Sequence, residues 1–169
     1  CVHSHRLIQK IHSLGKKAGI SIVPSTPVSA VEELLEYADI VRGSDEDFHN
    51  LFSKTESAHI YEEHIKFYCH DFITTHGPQG VNLFTDRFSH HFDSKPVVPV
   101  STIGAGDNFN AGIIYGLLKY DIRHQDLKTL DKETWSKIIG CGIDLSTEVC
   151  QSYNNYISRE FAHSYTQQS

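Results

Sequence analysis

The sequence predicts an α/β fold in which helices cover both faces of a mostly parallel sheet. Three observations predict it. Amphipathic helical patterns alternate with short apolar runs, turn-forming residues separate the two, and 39% of the 169 residues are hydrophobic, which suffices for a buried core. We expect residues 1–169 to form one such domain.

The first part of the chain reads as two helix–strand units. Apolar residues recur at helical spacing in both helical patterns, and each pattern is followed by a short apolar run. The predicted helices span residues 7–18 and 28–37, and the predicted strands span residues 20–23 and 38–41. Next, Ser44 can cap a helix whose first turn holds Asp45, Glu46 and Asp47, where the helix dipole favours negative charge.

The remainder of the chain continues the alternation. Two glycines and a proline in residues 76–80 predict a tight loop after a strand, and two extended runs after it predict a hairpin. The predicted elements are a helix over 61–68, a strand over 72–75, hairpin strands over 81–84 and 88–92, an extended run over 97–100, and helices over 109–119 and 131–158.

A small-residue loop before the helix over 109–119 carries the clearest chemistry. Gly104 and Gly106 permit close approach to the backbone, and the first amides of a helix have no internal partner. We therefore expect the amides of Gly104, Ala105 and Gly106 to form an anion site. Asp107 lies at this positive end, where an ionised carboxylate can accept a proton from a substrate hydroxyl.

Two other interpretations of this loop stay open from the residues alone. It can be an ordinary strand-to-helix turn in which Asp107 only caps the helix. It can also begin a dinucleotide site, but such a site needs a third glycine where Phe109 stands, and Asp126, at the distance of the ribose-binding acid, lies in a polar stretch. The second interpretation implies an NAD-dependent oxidoreductase.

Longer motifs carry a resemblance to a known family. The run Thr102-Ile103-Gly104-Ala105-Gly106-Asp107-Asn108-Phe109 resembles the second signature, DTxGAGDxF, of the PfkB (ribokinase-like) carbohydrate kinases. Residues 73–80 resemble the family's strand and loop that touch ATP, and residues 38–47 resemble its segment with an NxxE motif. By this resemblance the chain is identified as a member of that family, similar to a fructokinase, with a ribokinase-like α/β/α fold.

The resemblance implies ATP-dependent phosphorylation of a sugar hydroxyl, with fructose as the first expected acceptor and ATP and Mg²⁺ as cofactors. Asp107 would be the catalytic base, and the amides of residues 104–106 would form the anion hole. The nucleotide side would include Thr75, Gly77, Gly80, Ser44, Asp47 and, toward the C-terminal helix, Asn154.

Three departures from the family pattern temper these expectations. Ser101 replaces the usual aspartate, which leaves a monovalent-cation requirement open, and Ser44 and Asp47 replace the Asn and Glu of NxxE. The family's glycine-rich N-terminal signature and sugar-binding lid have no counterpart here, so we expect an N-terminal part outside this sequence. These departures support an alternative function, a catalytically weak nucleotide-binding pseudokinase.

Composition excludes several other classes. A net charge of −6 without a basic stripe argues against nucleic-acid binding. The sequence contains no run of about 18 apolar residues, the length that a membrane-spanning helix needs. Four cysteines without CxxC predict reduced thiols and a cytoplasmic protein. The histidines lack zinc-like spacing, so no metal ligand is assigned. Gly112 and Gly116 are expected to allow close packing of their helix against the sheet. The expected partner is a small sugar, and a homodimer stays open.

Overall fold

A computed structural model of the protein describes residues 22–24, 35, 38–53 and 56–167, with the backbone alone for residues 22–24. The chain divides into two compact units, residues 1–93 with 123–128, and residues 94–122 with 129–169. The predicted helix over 7–18 lies outside the described residues. Of the helix over 28–37, Leu35 is described, and it is helical and buried. The single-domain expectation stays a prediction.

The first unit contains a five-stranded sheet in the order β1-β2-β3-β4-β5. The strands are β1 (Ile22–Pro24), β2 (Ile40–Ser44), β3 (Asp71–Thr75), β4 (Val81–Phe84) and β5 (Ser89–Phe92). The first three strands pair in parallel, whereas β3, β4 and β5 pair antiparallel. Each of these five strands overlaps a predicted strand, and the predicted hairpin is confirmed, whereas the parallel pairing is confined to the first three strands.

Strands β2 and β3 are buried on both faces, because the first four residues of each are buried. Such continuous burial is typical of parallel strands covered on both sides. In β4, by contrast, buried and half-buried residues alternate. The sheet therefore has its most buried strands in the centre, and the carboxyl ends of these strands carry the candidate site residues of this unit.

Helical segments of the first unit pack on one face of the sheet. They are α1 (Asp45–Phe52) and α2 (Ser57–Ile60), and α2 continues into a π-helical turn (Tyr61–Ile65). Phe48 of α1 meets Phe72 of β3 edge to face, with ring centroids 4.9 Å apart. The helix predicted over 61–68 thus begins earlier and ends at Ile65, and residues 66–68 form a turn whose last N–H groups donate to the carbonyl of Ile65.

The second unit consists of three helices among the described residues: α3 (Ala105–Lys119), α4 (Lys132–Val149) and α5 (Arg159–Gln167). Helices α3 and α4 approach closely at two glycines. A Cβ on Gly112 would lie 2.3 Å from the carbonyl oxygen of Cys141, and one on Gly116 would lie 3.0 Å from Cα of Ile138. Gly112 and Gly116 thus serve close packing, but their partner is helix α4 and not the sheet that the sequence predicted.

The prediction of a strand over residues 97–100, implied by the extended run there, is wrong. Residues 93–100 form no strand, and their valines are exposed. The backbone N–H of Val100 donates instead to the carbonyl of Cys150, at 2.8 Å. A β-branched run forms a strand only where a neighbouring strand completes its hydrogen bonds, and this run instead meets the end of a helix.

The prediction of one helix over 131–158 is also wrong at its C-terminal end. Helix α4 begins after its cap Asp131, as expected, but it ends at Val149. The carbonyl of Cys150 is engaged by Val100, and the hydroxyl of Ser158 accepts the N–H of Phe161 to begin α5. Asn154 therefore lies in the loop between α4 and α5 and not within a helix.

Candidate active site

The loop before α3 has the glycine geometry that the sequence predicts. Gly104 is the N-terminal cap of α3, with φ of 81°, a left-handed conformation that favours glycine. A Cβ at this position would also lie 2.9 Å from Cβ of Asn155. Two independent constraints therefore require glycine at residue 104: the backbone conformation and the close approach of the loop that follows α4.

The first turn of α3 presents two backbone amides. The first intrahelical bond runs from the N–H of Asn108 to the carbonyl of Gly104, at 2.9 Å, so the N–H groups of Gly106 and Asp107 precede it. The N–H of Ala105 donates to the carbonyl of Thr102, at 3.2 Å. Of the three amides expected to form the anion site, the amide of Ala105 is thus already engaged in a turn.

Asp107 is the third residue of α3 and is exposed. Within the described part of the chain, no side chain donates a hydrogen bond to its carboxylate. The carboxylate is therefore accessible and lies in the first turn of a helix, beside amides that favour an anion. A carboxylate in this position can take a proton while the amides receive the negative charge of a phosphoryl group.

Asn108 fixes this loop to the segment after α4. Its side-chain Nδ2 donates both to the carbonyl of Gly104, at 2.9 Å, and to the carbonyl of Asn155, at 3.0 Å. The sequence assigned no contact to Asn155. Asn154, the predicted nucleotide contact, is exposed, and its N–H donates to the hydroxyl of Ser152. The structure thus brings Asn155, rather than Asn154, against the glycine loop.

Ser101 opens the loop with local contacts. Its hydroxyl accepts the N–H of Ile103, at 3.2 Å, and its own N–H points to the carbonyl of Cys150, at 3.4 Å. The serine at this position therefore shapes the turn into the glycine loop.

The predicted nucleotide residues of the first unit lie at the carboxyl ends of β2 and β3. Ser44 and Thr75 are direct partners across the parallel pair. Beside them, Nη2 of the buried Arg42 donates to the hydroxyl of Thr75, at 2.9 Å. Arg42 places a guanidinium at this edge of the sheet, and sequence reasoning missed it because an arginine next to a predicted strand gives no indication that it is buried.

Ser44 and Asp47 form a reciprocal capping box at the start of α1. The hydroxyl of Ser44 accepts the N–H of Asp47, at 3.1 Å, and Oδ2 of Asp47 accepts the N–H of Ser44, at 3.0 Å. The predicted cap is therefore confirmed. Both groups that the resemblance assigned to the magnesium and phosphate segment serve the helix start.

The loop after β3 is a tight turn held by its own backbone. It contains a short 3₁₀ helix (Gly77–Gln79), and the N–H of His76 donates to the carbonyl of Gly80, at 2.8 Å. Gly77 and Gly80 have φ of 53° and 101°. A Cβ on Gly80 would lie 2.3 Å from the carbonyl oxygen of Phe92 in β5, so only glycine fits there.

The candidate residues thus form two groups, and each group is described within its own unit. Ser44, Asp47, Thr75, Gly77 and Gly80 belong to the first unit, whereas Gly104, Ala105, Gly106, Asp107 and Asn154 belong to the second. The described residues contain no cluster of three or more His, Cys, Asp or Glu side chains that could hold a metal ion. No described helix is long and apolar enough to cross a bilayer.

Comparison with known proteins assigns the family. The family model described as pfkB family carbohydrate kinase matches residues 2–160. The chain belongs to the pfkB family of carbohydrate kinases. The match covers both units, and it confirms the family that residues 102–109 indicate.

Solved structures of pfkB kinases show the same fold. The fructokinase with bound ATP from Xylella fastidiosa superimposes with a TM-score of 0.80 and 15% sequence identity, over 97% of this chain and 57% of that one. The ribokinase-like α/β fold class is therefore confirmed. This chain spans only a little more than half the length of that kinase.

Curated relatives match shorter stretches. A protein of Pyrococcus horikoshii that carries the name of a sugar kinase is 29% identical over 121 residues, which is 72% of this chain and 34% of that protein. The ribulose-phosphate 3-epimerase of Treponema pallidum is 58% identical over 40 residues, which is 24% of this chain and 18% of that enzyme. The second similarity is too short to indicate a family.

Proposed function

We propose that the protein carries the ATP-dependent phosphotransfer chemistry of a sugar kinase, with Asp107 as the general base. The observation that carries this proposal is the first turn of α3, where an accessible carboxylate stands beside the amides of Gly106 and Asp107. Family membership supports a kinase, and the exposed position of Asp107 suits a group that must reach a substrate hydroxyl.

The proposed reaction follows from these groups. The carboxylate of Asp107 takes the proton of a sugar hydroxyl, and the hydroxyl oxygen forms a bond to the γ-phosphorus of ATP. The bond between that phosphorus and the bridging oxygen of ADP breaks, so that ADP leaves with the bond's electron pair. The N–H groups of Gly106 and Asp107 stabilise the charge on the phosphoryl oxygens.

ATP and Mg²⁺ fit the residues present. The turn of Gly77 and Gly80 and the guanidinium of Arg42 lie at the carboxyl ends of parallel strands, where α/β sheets bind ligands. Magnesium usually takes one or two protein carboxylates and is held otherwise by phosphates and water. Asp47 is the candidate carboxylate of the first unit, although one of its oxygens accepts the N–H of Ser44.

The proposal extends to the substrate, the compartment and the assembly. Fructose is the first acceptor to test, because the solved structure with the TM-score of 0.80 is called a fructokinase. Three described cysteines, Cys69, Cys141 and Cys150, are free thiols, which supports a reducing compartment such as the cytoplasm. A monovalent-cation requirement and a homodimer stay open, and a small sugar remains the expected partner rather than nucleic acid.

A steady-state assay of Asp107→Asn tests the proposal. With ATP, Mg²⁺ and a panel of sugars, we expect acceptor-dependent ADP release by the wild type and a loss of about 10²–10⁴-fold in turnover by the variant. Asp126→Asn is the control, because Asp126 accepts the N–H of Arg123 at 2.8 Å and asparagine can accept it equally. Equal turnover of Asp107→Asn and wild type would contradict the role of Asp107.

A second candidate function is nucleotide binding without phosphoryl transfer. The observation that favours it is the capping box, in which Ser44 and Asp47 bind each other's backbone N–H groups. Under this function ATP would bind to both wild type and Asp107→Asn with similar affinity, and no sugar would stimulate ADP release. Calorimetric ATP titrations alongside the turnover assay separate the two candidates.

A further inference from the structure

His76 lies between β3 and the glycine turn, and its imidazole is surrounded by polar groups. The side chain is 19% exposed. Nδ1 faces Oδ2 of Asp45 in the first turn of α1, at 3.4 Å. Nε2 lies within 3.2 Å of polar atoms from three further elements, which are Oγ of Ser57 (3.2 Å), Oγ1 of Thr74 (3.0 Å) and Nδ2 of Asn82 (3.1 Å).

Asn82 joins His76 to a second histidine through the two ends of its side-chain amide. Oδ1 of Asn82 lies 2.7 Å from Nδ1 of His91, a distance typical of an N–H···O bond. The amide oxygen of Asn82 therefore faces His91, and its NH₂ group faces Nε2 of His76. The imidazole of His76 is thereby connected to β4 on its Nε2 side and to α1 on its Nδ1 side.

The backbone of the same residue holds the glycine turn at both ends. The N–H of His76 donates to the carbonyl of Gly80, at 2.8 Å, and its carbonyl accepts the N–H of Gln79, at 3.0 Å. Fixing the imidazole therefore fixes the peptide groups from which the turn of Gly77 and Gly80 begins and to which it returns. The side-chain contacts join this turn to α1, α2 and β4.

The order Asp45–His76–Ser57 resembles a hydrolase triad, but the burial of the serine excludes that role. Ser57 is 6% exposed and Thr74 is fully buried. The hydroxyl of Thr74 donates to Oγ of Ser57, at 2.9 Å. A nucleophile in this position could not reach a substrate carbonyl. The two hydroxyls are therefore structural partners of the imidazole.

We propose that His76 is a positioning residue for the nucleotide, which holds the turn of Gly77 and Gly80 in its ATP-binding conformation. This inference rests on the proposed function, because the nucleotide is ATP. His76 does not touch the reacting atoms, so its loss raises the KM for ATP and leaves kcat within about threefold. Loss of one or two net hydrogen bonds corresponds to about tenfold in affinity, or about 1.4 kcal/mol.

Two amide substitutions test whether a polar atom is needed at the position of Nε2. The side-chain amide of glutamine at residue 76 can place a polar atom where Nε2 lies and keep the contacts with Asn82 and Ser57, whereas asparagine is too short to do so. We expect His76→Gln to stay within about threefold of the wild-type KM for ATP and His76→Asn to raise it about tenfold. His59→Asn is the matched control, since His59 is on the exposed side of α2 in the same unit.

Two further readouts separate this role from a general loss of stability. Hydrogen exchange of peptides covering residues 76–84 should be faster in His76→Asn than in the wild type, and unchanged in His76→Gln. Calorimetry should show that His76→Asn binds ATP more weakly than the wild type. The thermal unfolding temperature of the second unit should be the same in both proteins. Equal KM values for the two variants, or a fall in kcat at constant KM, would overturn the role of His76. A wild type that binds no ATP would overturn the proposed function itself.

Discussion

Replacing Asp71 by asparagine should stabilise the protein at alkaline pH. Asp71 begins β3 and is 4% exposed. Burial, and secondarily the charges of Asp86 and Asp39, raise the pKa of Asp71 from an ordinary 3.8 to about 7. His70 pairs with Asp86 and His124 with Asp39, each at 2.6 Å, so the two neighbouring carboxylates have partners of their own.

The sign of the effect follows from proton binding. Between pH 3.8 and about 7 the folded protein keeps the proton on Asp71 while the unfolded chain has lost it. The free energy of unfolding therefore falls as the pH rises through this window. At 1.36 kcal/mol per pH unit, the full cost of ionised Asp71 is about 4 kcal/mol above pH 7. Asp71→Asn removes this cost.

Urea unfolding at pH 4, 6 and 8 measures the difference between Asp71→Asn and wild type. Far-UV circular dichroism should follow the transition, because the single tryptophan, Trp135, lies in the second unit. We expect nearly equal stabilities at pH 4 and a gain for the variant of up to about 4 kcal/mol at pH 8. Glu160→Gln, an exposed carboxylate in α5, is the control. A difference that is constant from pH 4 to 8 would refute the reasoning.

Two further predictions concern helix packing and capping. Gly112→Ala should lower the free energy of unfolding by about 1–3 kcal/mol, because its Cβ would meet the carbonyl oxygen of Cys141 at 2.3 Å. Gly140→Ala should raise the free energy of unfolding by up to about 1 kcal/mol, because a Cβ on Gly140 would have no neighbour within 4 Å. Urea titrations in which both variants are destabilised, or both stabilised, would contradict this prediction. Ser44→Ala should cost about 1 kcal/mol and Ser44→Thr much less, since threonine keeps the cap. Equal losses in thermal unfolding would show that the hydroxyl is not what stabilises α1.

Local patterns predicted the elements whose hydrogen bonds are local. The capping box at Ser44, the hairpin of β4 and β5, and the glycine start of α3 are each formed by residues within a few positions of one another. The sequence signals for these elements are a serine before acidic residues, two extended runs, and a glycine at the cap. These signals arise from local backbone geometry, which does not depend on the rest of the fold. These parts of the fold, including the glycine turn before α3, were therefore predictable.

The wrong predictions involve contacts between distant residues. The valine-rich run ending at Val100 pairs with no strand, because the N–H of Val100 donates to the carbonyl of Cys150, some fifty positions away. Cys150 is also the residue that follows the last residue of α4. Asn155 reaches the glycine loop through Asn108, and Arg42 reaches Thr75. Neither pairing has a signature in spacing or periodicity, since only the folded chain brings these residues together.

The capping box bears on whether Ser44 can also serve the nucleotide. In the cap, Oγ of Ser44 acts as acceptor for the N–H of Asp47, so the hydroxyl hydrogen is not used there. The hydroxyl can therefore donate to a phosphate oxygen while the cap stays intact. Ser44 is also paired in register with Thr75, at the edge where Arg42 brings its positive charge. The substitution of serine for the family's asparagine thus keeps a donor at this edge, which supports phosphate binding by the proposed kinase rather than its loss.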